Sequence, residues 1–253
     1  LGDGPNSNVA ESSGIQSSKP KVSLIVTSHN QIMYSQMMYS SLKKYTRYPY
    51  ELVWVDCIST DGTREWLNSE LHKETVKVFV PKIGIGEAMN IGFSKCSKES
   101  EYIGDLDNDL ILTEGWLTRL IQHMEMDKKI AVCQALWSLR GKDPEKIHEF
   151  ARTIKNNNGL KKMWWVNGSH TLFRRSALEQ VGLWNPIYWM GEDKDIGIRL
   201  SNAGFKNVIA LNTCVYHFQG RTTSVIEKTD PEWNKHRIES KRLLDKLYGS
   251  RKR

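Results

Sequence analysis

The chain has 253 residues and a formal charge of +7, with a sequence pI near 9.1, so it can bury a full core as one large α/β domain or two closely joined lobes. Its basic balance suits an acidic partner such as a nucleotide diphosphate or an anionic lipid surface. The Lys and Arg residues are spread along the chain and gather after Lys235 with no RNA- or DNA-reading signature, so no nucleic-acid partner is expected.

Residues 1–19 are rich in Gly, Ser, Asn and Pro and nearly free of large apolar side chains, so they read as a disordered leader. The chain opens on Leu1 rather than Met, which leaves room for a targeting segment or anchor ahead of it. Within it no stretch approaches the roughly 20 apolar residues of a membrane span. From Lys21 onward, apolar runs at residues 22–26, 52–55, 76–80 and 130–136 alternate with amphipathic stretches. That is the pattern of βαβ units in a mostly parallel sheet covered by helices on both faces.

One helix is predicted over residues 33–45, a second capped by Asp61 and carrying Trp66 and Leu67, and a third after Gly84 and Gly86. Ligands of open parallel sheets sit beyond the carboxyl ends of the strands. Chemistry is therefore expected in the polar groups at residues 27–30, 56–61, 82–86 and 107–109. Cys57, Cys96, Cys133 and Cys214 form no C-x-x-C pair and read as free thiols of a reducing, cytoplasmic compartment. Among the tryptophans of the second half, Trp116, Trp137, Trp164, Trp165 and Trp184 read as core, whereas Trp189 is placed to stack on a sugar ring.

If the strand that begins near Tyr102 runs on to Asp109, alternation puts Asp107 and Asp109 on one face, within reach of one hard cation. Mg²⁺ or Mn²⁺ held by one or two carboxylates keeps positions for phosphate oxygens. An isolated Asp-x-Asp triplet is equally a common solvated turn. Farther on, Gly191-Glu192-Asp193-Lys194-Asp195 opens a helix on which Asp193, Ile196 and Leu200 share the inward face. Asp193 is then either a tuned general base or an acid that merely satisfies first-turn N–H groups. Asp195 and Arg199 fit a surface i, i+4 pair, and His217, at the end of an apolar run, is a metal ligand or a structural histidine.

In order, Val22-Ser23-Leu24-Ile25-Val26-Thr27-Ser28-His29-Asn30, Val55-Asp56-Cys57-Ile58-Ser59-Thr60-Asp61-Gly62-Thr63, the glycines between 84 and 92 and Leu106-Asp107-Asn108-Asp109 resemble the family 2 glycosyltransferases of the GT-A fold. Asn167-Gly168, Gly182-Leu183-Trp184, Glu192-Asp193 and Val215-Tyr216-His217 continue the series, which covers residues 21–221. The resemblance implies a domain over residues 20–230, with a nucleotide-sugar-binding half (20–113) of Rossmann-like character, an acceptor half (114–230) and a basic helical tail (231–253). It implies donor contacts from Thr27, His29, Asn30, Asp56 and Asp107, with Asp56 accepting from a uracil-like imide. It further implies a divalent metal, Mn²⁺ or Mg²⁺, on Asp107, Asp109 and His217, and Asp193 as the base for an inverting transfer. Trp189-Met190-Gly191-Glu192-Asp193 is also similar to the acceptor segment of β-1,4-galactosyltransferases, which would put Trp189 and Glu192 against an acceptor sugar.

The sequence departs from the family pattern in places. Asp105 stands where an apolar residue is usual, Cys57 where an acid is common and Asn185 where Asp or Glu is common. The Q-x-x-R-W motif of processive synthases is absent, which favours transfer of a single sugar. The expected activity is thus transfer from a nucleotide diphosphate sugar, UDP preferred, to a hydroxyl of a glycan, lipid-linked saccharide or small molecule. Two rivals stay open: a sugar-nucleotide-forming nucleotidyltransferase, whose Gly-rich, Arg-containing loop is replaced here by Thr27-Ser28-His29-Asn30, and a non-catalytic carbohydrate-binding module. Residues 222–230 are expected to act as a lid. The tail after Lys235 would form an amphipathic helix, packed on its own domain or touching an anionic membrane.

Overall fold

A computed structural model describes residues 21–69, 73–137 and 143–249; the 1–19 leader and the last residues of the tail lie outside the described residues. The first half follows the expected alternation: β1 (Val22–Ser28), α1 (Ile32–Tyr45), β2 (Glu51–Cys57), α2 (Thr63–Leu67), β3 (Val76–Val80), α3 (Ile85–Lys95) and β4 (Tyr102–Asp107). Then come β5 (Leu110–Ile111), α4 (Trp116–Met126), β6 (Ile130–Trp137), α5 (Ile147–Ile154), β7 (Leu160–Met163), β8 (His170–Arg174) and α6 (Arg175–Val181). The last elements are α7 (Glu192–Asn202), β9 (Lys206–His217), α8 (Arg221–Thr229) and α9 (Pro231–Tyr248).

The strands form one sheet in the order β3-β2-β1-β4-β8-β6-β9-β5, with β7 pairing β9. Strands β3, β2, β1 and β4 are parallel, as expected. Beyond β4 the orientation is mixed, because β8 lies antiparallel between β4 and β6, and β5 and β7 run antiparallel to β9. Val22, Leu24 and Val26 of β1 bury into one core with Met38, Trp54 and Trp116, while Ile25 faces a second core with Val55, Met89, Phe173 and Trp184. A strand buried on both faces has to read as a continuous apolar run. The chain moves from β1 to one side through β2 and β3, then crosses back over α3 to β4 on the other side, so the order reverses at β1 and β4. Thr27 and Asp107 are register partners at this switch point, where an open α/β sheet presents its ligand crevice.

The local chemistry explains the loops. Asn30 and Gln31 turn with positive φ (56° and 66°) into α1. Asp61 accepts the Thr63 N–H and hydroxyl at the head of α2 (3.2 and 2.6 Å), and its other oxygen accepts the Ile32 N–H at the head of α1 (2.9 Å). One carboxylate therefore fixes two helix starts, more than the single cap expected of it.

Three expectations change. The strand does not run on to Asp109: it ends at Asp107, Asn108 and Asp109 form a turn, and β5 begins at Leu110. Asp195 and Arg199 do pair (2.7 Å), but Asp195 is buried rather than on the surface, because α9 covers it and Tyr248 donates its hydroxyl to the carboxylate at 2.7 Å. Trp164, expected in the core, is 47% exposed, whereas Trp116 and Trp184 are fully buried.

Helix α9 buries Trp233, Ser240 and Leu244, a stripe at i, i+7 and i+11 that seats it on the domain. Ile238 and Leu247 point outward and are the apolar groups a membrane contact through this helix would use. No helix among the described residues is long and apolar enough to cross a membrane.

Candidate active site

A cavity of about 350 Å³ opens at the switch point. Thr27, His29, Asp107, Asp109 and His217 are among its lining residues. Strand pairing makes this convergence: β5 runs antiparallel to β9 with Leu110 opposite His217, and Phe218 N–H donates to the Asp109 carbonyl at 3.1 Å. His217, more than 100 residues away in sequence, thus arrives beside the turn that carries Asp109. Its Nε2 lies 3.0 Å from Asp109 Oδ1 and 3.2 Å from Asp107 Oδ2.

The three ligand atoms lie within 4.8 Å of one another. Spacings of about 3 Å match the edge of an octahedron with bonds of about 2.1 Å, and two carboxylate oxygens plus one imidazole nitrogen suit Mn²⁺ better than the all-oxygen preference of Mg²⁺. These residues fit a divalent cation. Burial by itself would push His217 down, but its hydrogen bonds to Asp107 and Asp109 and their charges outweigh that and hold the imidazole up, at about 10. The electrostatics of the spot therefore favour positive charge. His170 packs edge-on behind His217 (ring centroids 6.2 Å apart) and is fixed by Gln134 (3.0 Å) and Ser169 (2.6 Å). Burial first, then the neighbouring His217, pushes His170 down to about 3, so it stays neutral.

The loops after β1 and β2 are heavily hydrogen-bonded. Asp56 is fully buried. Its Oδ1 accepts from the Ser59 N–H (3.1 Å) and Arg64 Nε (2.9 Å), while its Oδ2 accepts from the hydroxyls of Ser28 (3.1 Å) and Ser59. Asn30 donates its N–H to Ser59 Oγ (2.6 Å) and accepts the Thr60 N–H (2.7 Å). The Asn108 amide binds Ser35 Oγ at 2.9 Å and the Asn30 carbonyl at 3.3 Å, which pins the acidic turn to the head of α1. Asn30 and Asp56 thus organise the cavity wall from behind and are not among its lining residues.

A second group of acids adjoins the first. Asp193 is half-buried; its Oδ2 accepts the Gly168 N–H at 2.9 Å and its Oδ1 the Lys194 N–H at 2.7 Å. A side chain on Gly168 would stand 3.0 Å from Asp105 Oδ2, 3.5 Å from Asp193 Cβ and 3.6 Å from Glu192 Oε1, so this glycine sits among three carboxylates. Burial, reinforced by Asp107 and Asp193, lifts Asp105 well above the usual carboxylate range. Burial, reinforced by Asp193 and Asp105, does the same to Glu192, whose Oε2 has no hydrogen-bond partner among the described residues. Burial also raises Asp193, against the opposing N–H groups of Gly168 and Lys194. Buried like charges disfavour ionisation, so this centre holds its acids ready to take or keep a proton.

Trp189, Glu192 and Asp193 are not among the cavity-lining residues, although Met190 is. The Trp189 ring instead stacks on His236 of α9 (4.3 Å, 14°). Among the lining residues to which the sequence assigned no role are Lys82, Gln219, Asp230 and Trp233. Lys82 falls in a polar group singled out by its place after a strand, and Asp230 closes the segment expected to form a lid. Trp233 gives no local signal, because only the docking of α9 brings it there.

The profile of glycosyl transferase family 2 matches residues 23–182. The succinoglycan biosynthesis protein ExoA of Rhizobium meliloti is 26% identical over 164 residues, 61% of this chain and 50% of that protein. The O-antigen chain rhamnosyltransferase WbaN of Salmonella anatum is 25% identical over 197 residues, 73% of this chain and 61% of that protein. The chain thus spans about half to three-fifths of the length of these relatives. In three dimensions it resembles GalNAc-T7 with UDP, GalNAc and Mn²⁺ (TM-score 0.65, 18% identity, covering 91% of this chain and 52% of that one). It also resembles the mannosyltransferase PcManGT from Pyrobaculum calidifontis in complex with GDP-Man and Mn²⁺ (TM-score 0.60, 18% identity, covering 89% of this chain and 65% of that one). With the family profile spanning most of the chain and an overall fold that matches glycosyltransferase structures of the expected GT-A fold, the chain belongs to glycosyl transferase family 2.

Proposed function

We infer that the protein transfers a sugar from a nucleotide diphosphate sugar to a hydroxyl acceptor, with inversion and with a divalent metal. The observation that carries this reading is the convergence of Asp107, Asp109 and His217 at the cavity on the sheet's switch point. Both structural relatives carry a nucleotide and Mn²⁺, one with UDP and one with GDP-Man. Asp107, Asp109 and His217 would hold the metal, which when bound neutralises charge developing on the departing diphosphate.

Thr27 and His29 face the nucleoside end of the cavity. Asp56 and Asn30 keep that wall in shape, and Asp56 would reach an imide only by exchanging one of its present partners, Arg64 or Ser59. Asp193 is the base: held by the Gly168 and Lys194 N–H groups, it takes the acceptor hydroxyl's proton as that oxygen attacks the anomeric carbon and the bond to the diphosphate oxygen breaks. Trp189 and Glu192, on the same segment, bear the acceptor sugar. UDP is the first donor nucleotide to try and Mn²⁺ the first metal, given the imidazole in the donor set.

A panel of UDP-, GDP- and dTDP-sugars with Mn²⁺, read as slow release of the nucleoside diphosphate, tests this. Release from one nucleotide sugar, lost with chelator and lost in Asp109→Ala, is the expected result. Equal release in Asp109→Ala would sink the metal assignment. Formation of a nucleotide sugar from a nucleoside triphosphate and a sugar phosphate would support the nucleotidyltransferase rival instead.

A further inference from the structure

The donor cavity holds a charge problem that the metal ligands do not solve. A nucleoside diphosphate brings about two to three negative charges into a space already lined by Asp107, Asp109 and Asp230. Among the described residues that line it, one Lys or Arg is present: Lys82, in the loop between β3 and α3. Its ammonium is already engaged in an ion pair with Asp230, the two side chains being 33% and 25% exposed. Asp230 has a second task. Its Oδ1 accepts the Trp233 N–H at 3.0 Å, which makes it the N-cap of α9, while the ion pair uses Oδ2.

Helix α9 carries that contact to the acceptor segment. Its Ser240 Oγ accepts the Trp189 N–H at 3.0 Å, and its His236 stacks on the Trp189 ring. Its Leu244 lies so close to Gly191 that a Cβ there would meet Leu244 Cδ1 at 2.4 Å, and Gly191, at φ 93°, is the left-handed residue that starts α7 and hence places Glu192 and Asp193. Tyr248 closes the series on Asp195. One end of α9 is thus tied to the cation of the donor cavity and the remainder to the residues proposed for the acceptor and base.

We propose that Lys82 binds the diphosphate of the donor and that Asp230 competes with that diphosphate for Lys82, so that filling the donor site changes how α9 braces the acceptor segment. This rests on the nucleotide-sugar reading above. Capping keeps Asp230 on α9 after Lys82 has left it, so what the donor alters is the tether between α9 and the loop before α3, not the helix itself. The sign is definite: the ion pair opposes donor binding, and breaking it from the Asp230 side favours the donor.

Asp230→Asn separates the two tasks, since Asn caps a helix about as well as Asp but cannot pair with an ammonium. The experiment is calorimetric titration of UDP and GDP with Mn²⁺ into the full chain, with uridine and guanosine as diphosphate-free controls, followed by amide hydrogen exchange. For the nucleotide that the wild type binds, Lys82→Met should weaken diphosphate affinity by about tenfold, the worth of one charge-assisted hydrogen bond at a partly exposed site, and leave the nucleoside unchanged. Asp230→Asn should tighten it about threefold, an effect that shrinks in the double variant, where only the loss of Asp230's direct repulsion of the diphosphate remains. Amides of residues 189–192 and 231–248 should change exchange rate on adding nucleotide in the wild type and not in Lys82→Met.

Unchanged affinity in Lys82→Met, or a gain from Asp230→Asn that is undiminished in the double variant, would overturn the inference while leaving the donor reading intact. If the wild type binds neither UDP nor GDP with Mn²⁺, the donor reading fails and the inference goes with it.

Discussion

The two sides of the site are built on opposite principles. The loops after β1 and β2 are densely hydrogen-bonded: both Asp56 oxygens are taken up by Ser28, Ser59 and Arg64, and Asp61 and Asn30 each close a turn through their side chains. Around Gly168 the acids Asp105, Glu192 and Asp193 lie close together with few donors, and one Glu192 oxygen has no partner among the described residues. The first arrangement stabilises a rigid wall. The second sacrifices stability, and such local violations gather where chemistry is done. On the proposed function, the network-rich acid Asp56 is a scaffold, and the reactive acid, Asp193, belongs to the crowded group around Gly168.

The largest test of that contrast is at the metal ligands. Asp109→Ala should lower metal-dependent turnover by about a thousandfold, roughly 4 kcal/mol of transition-state stabilisation, measured as kcat/KM at saturating Mn²⁺. Next, Asp193→Asn should cost about a hundredfold in kcat while donor affinity stays within about twofold. A fall in donor affinity that matched the loss in kcat would make Asp193 a structural acid. Because burial raises its pKa, the wild-type rate should fall about tenfold per pH unit below that raised value, the protonated acid being unable to accept the acceptor's proton, and rise to a plateau above it.

Asp56→Asn tests the scaffold side and should cost about 2 kcal/mol of stability, because Arg64 loses a buried partner. Denaturant unfolding measures it. Loss of donor binding without loss of stability would instead make Asp56 a direct donor contact. The smallest effect is of the opposite sign. Glu192→Gln should stabilise the fold by about 1 kcal/mol at neutral pH. Glu192 has its folded pKa raised, so its contribution to stability is present below the ordinary carboxylate range and lost as pH rises through the folded value. The gain from Gln should therefore be larger at pH 8 than at pH 5, as thermal unfolding at the two pH values would show.

Much of the first half of the chain was legible in the sequence because it is locally encoded. Strands β1 to β3 are mostly apolar, broken only by residues such as Ser23 and Lys77, and the polar residues after them fall at the crevice by the logic of parallel sheets. Asp107 and Asp109 do converge, but through a turn after β4 and not through the strand alternation expected of them. What was illegible is non-local. The β5–β9 pairing that delivers His217, the insertion of β8 between β4 and β6 that sets Gly168 against Asp105, and the docking of α9 over Asp195 all join residues dozens to more than a hundred positions apart. Periodicity describes which face of an element is apolar, not which element will cover it. For the same reason Asp195 read as a surface residue and Trp233 as nothing in particular.

Asp107, Asp109 and His217 are proposed to form a metal site that holds the donor's diphosphate. The most direct test of that proposal is calorimetric titration of UDP or GDP into the wild type and Asp109→Ala, each with Mn²⁺ and with chelator. Mn²⁺ is predicted to tighten nucleotide binding at least about tenfold in the wild type and not at all in Asp109→Ala; an equal Mn²⁺-dependent gain in both proteins would contradict it.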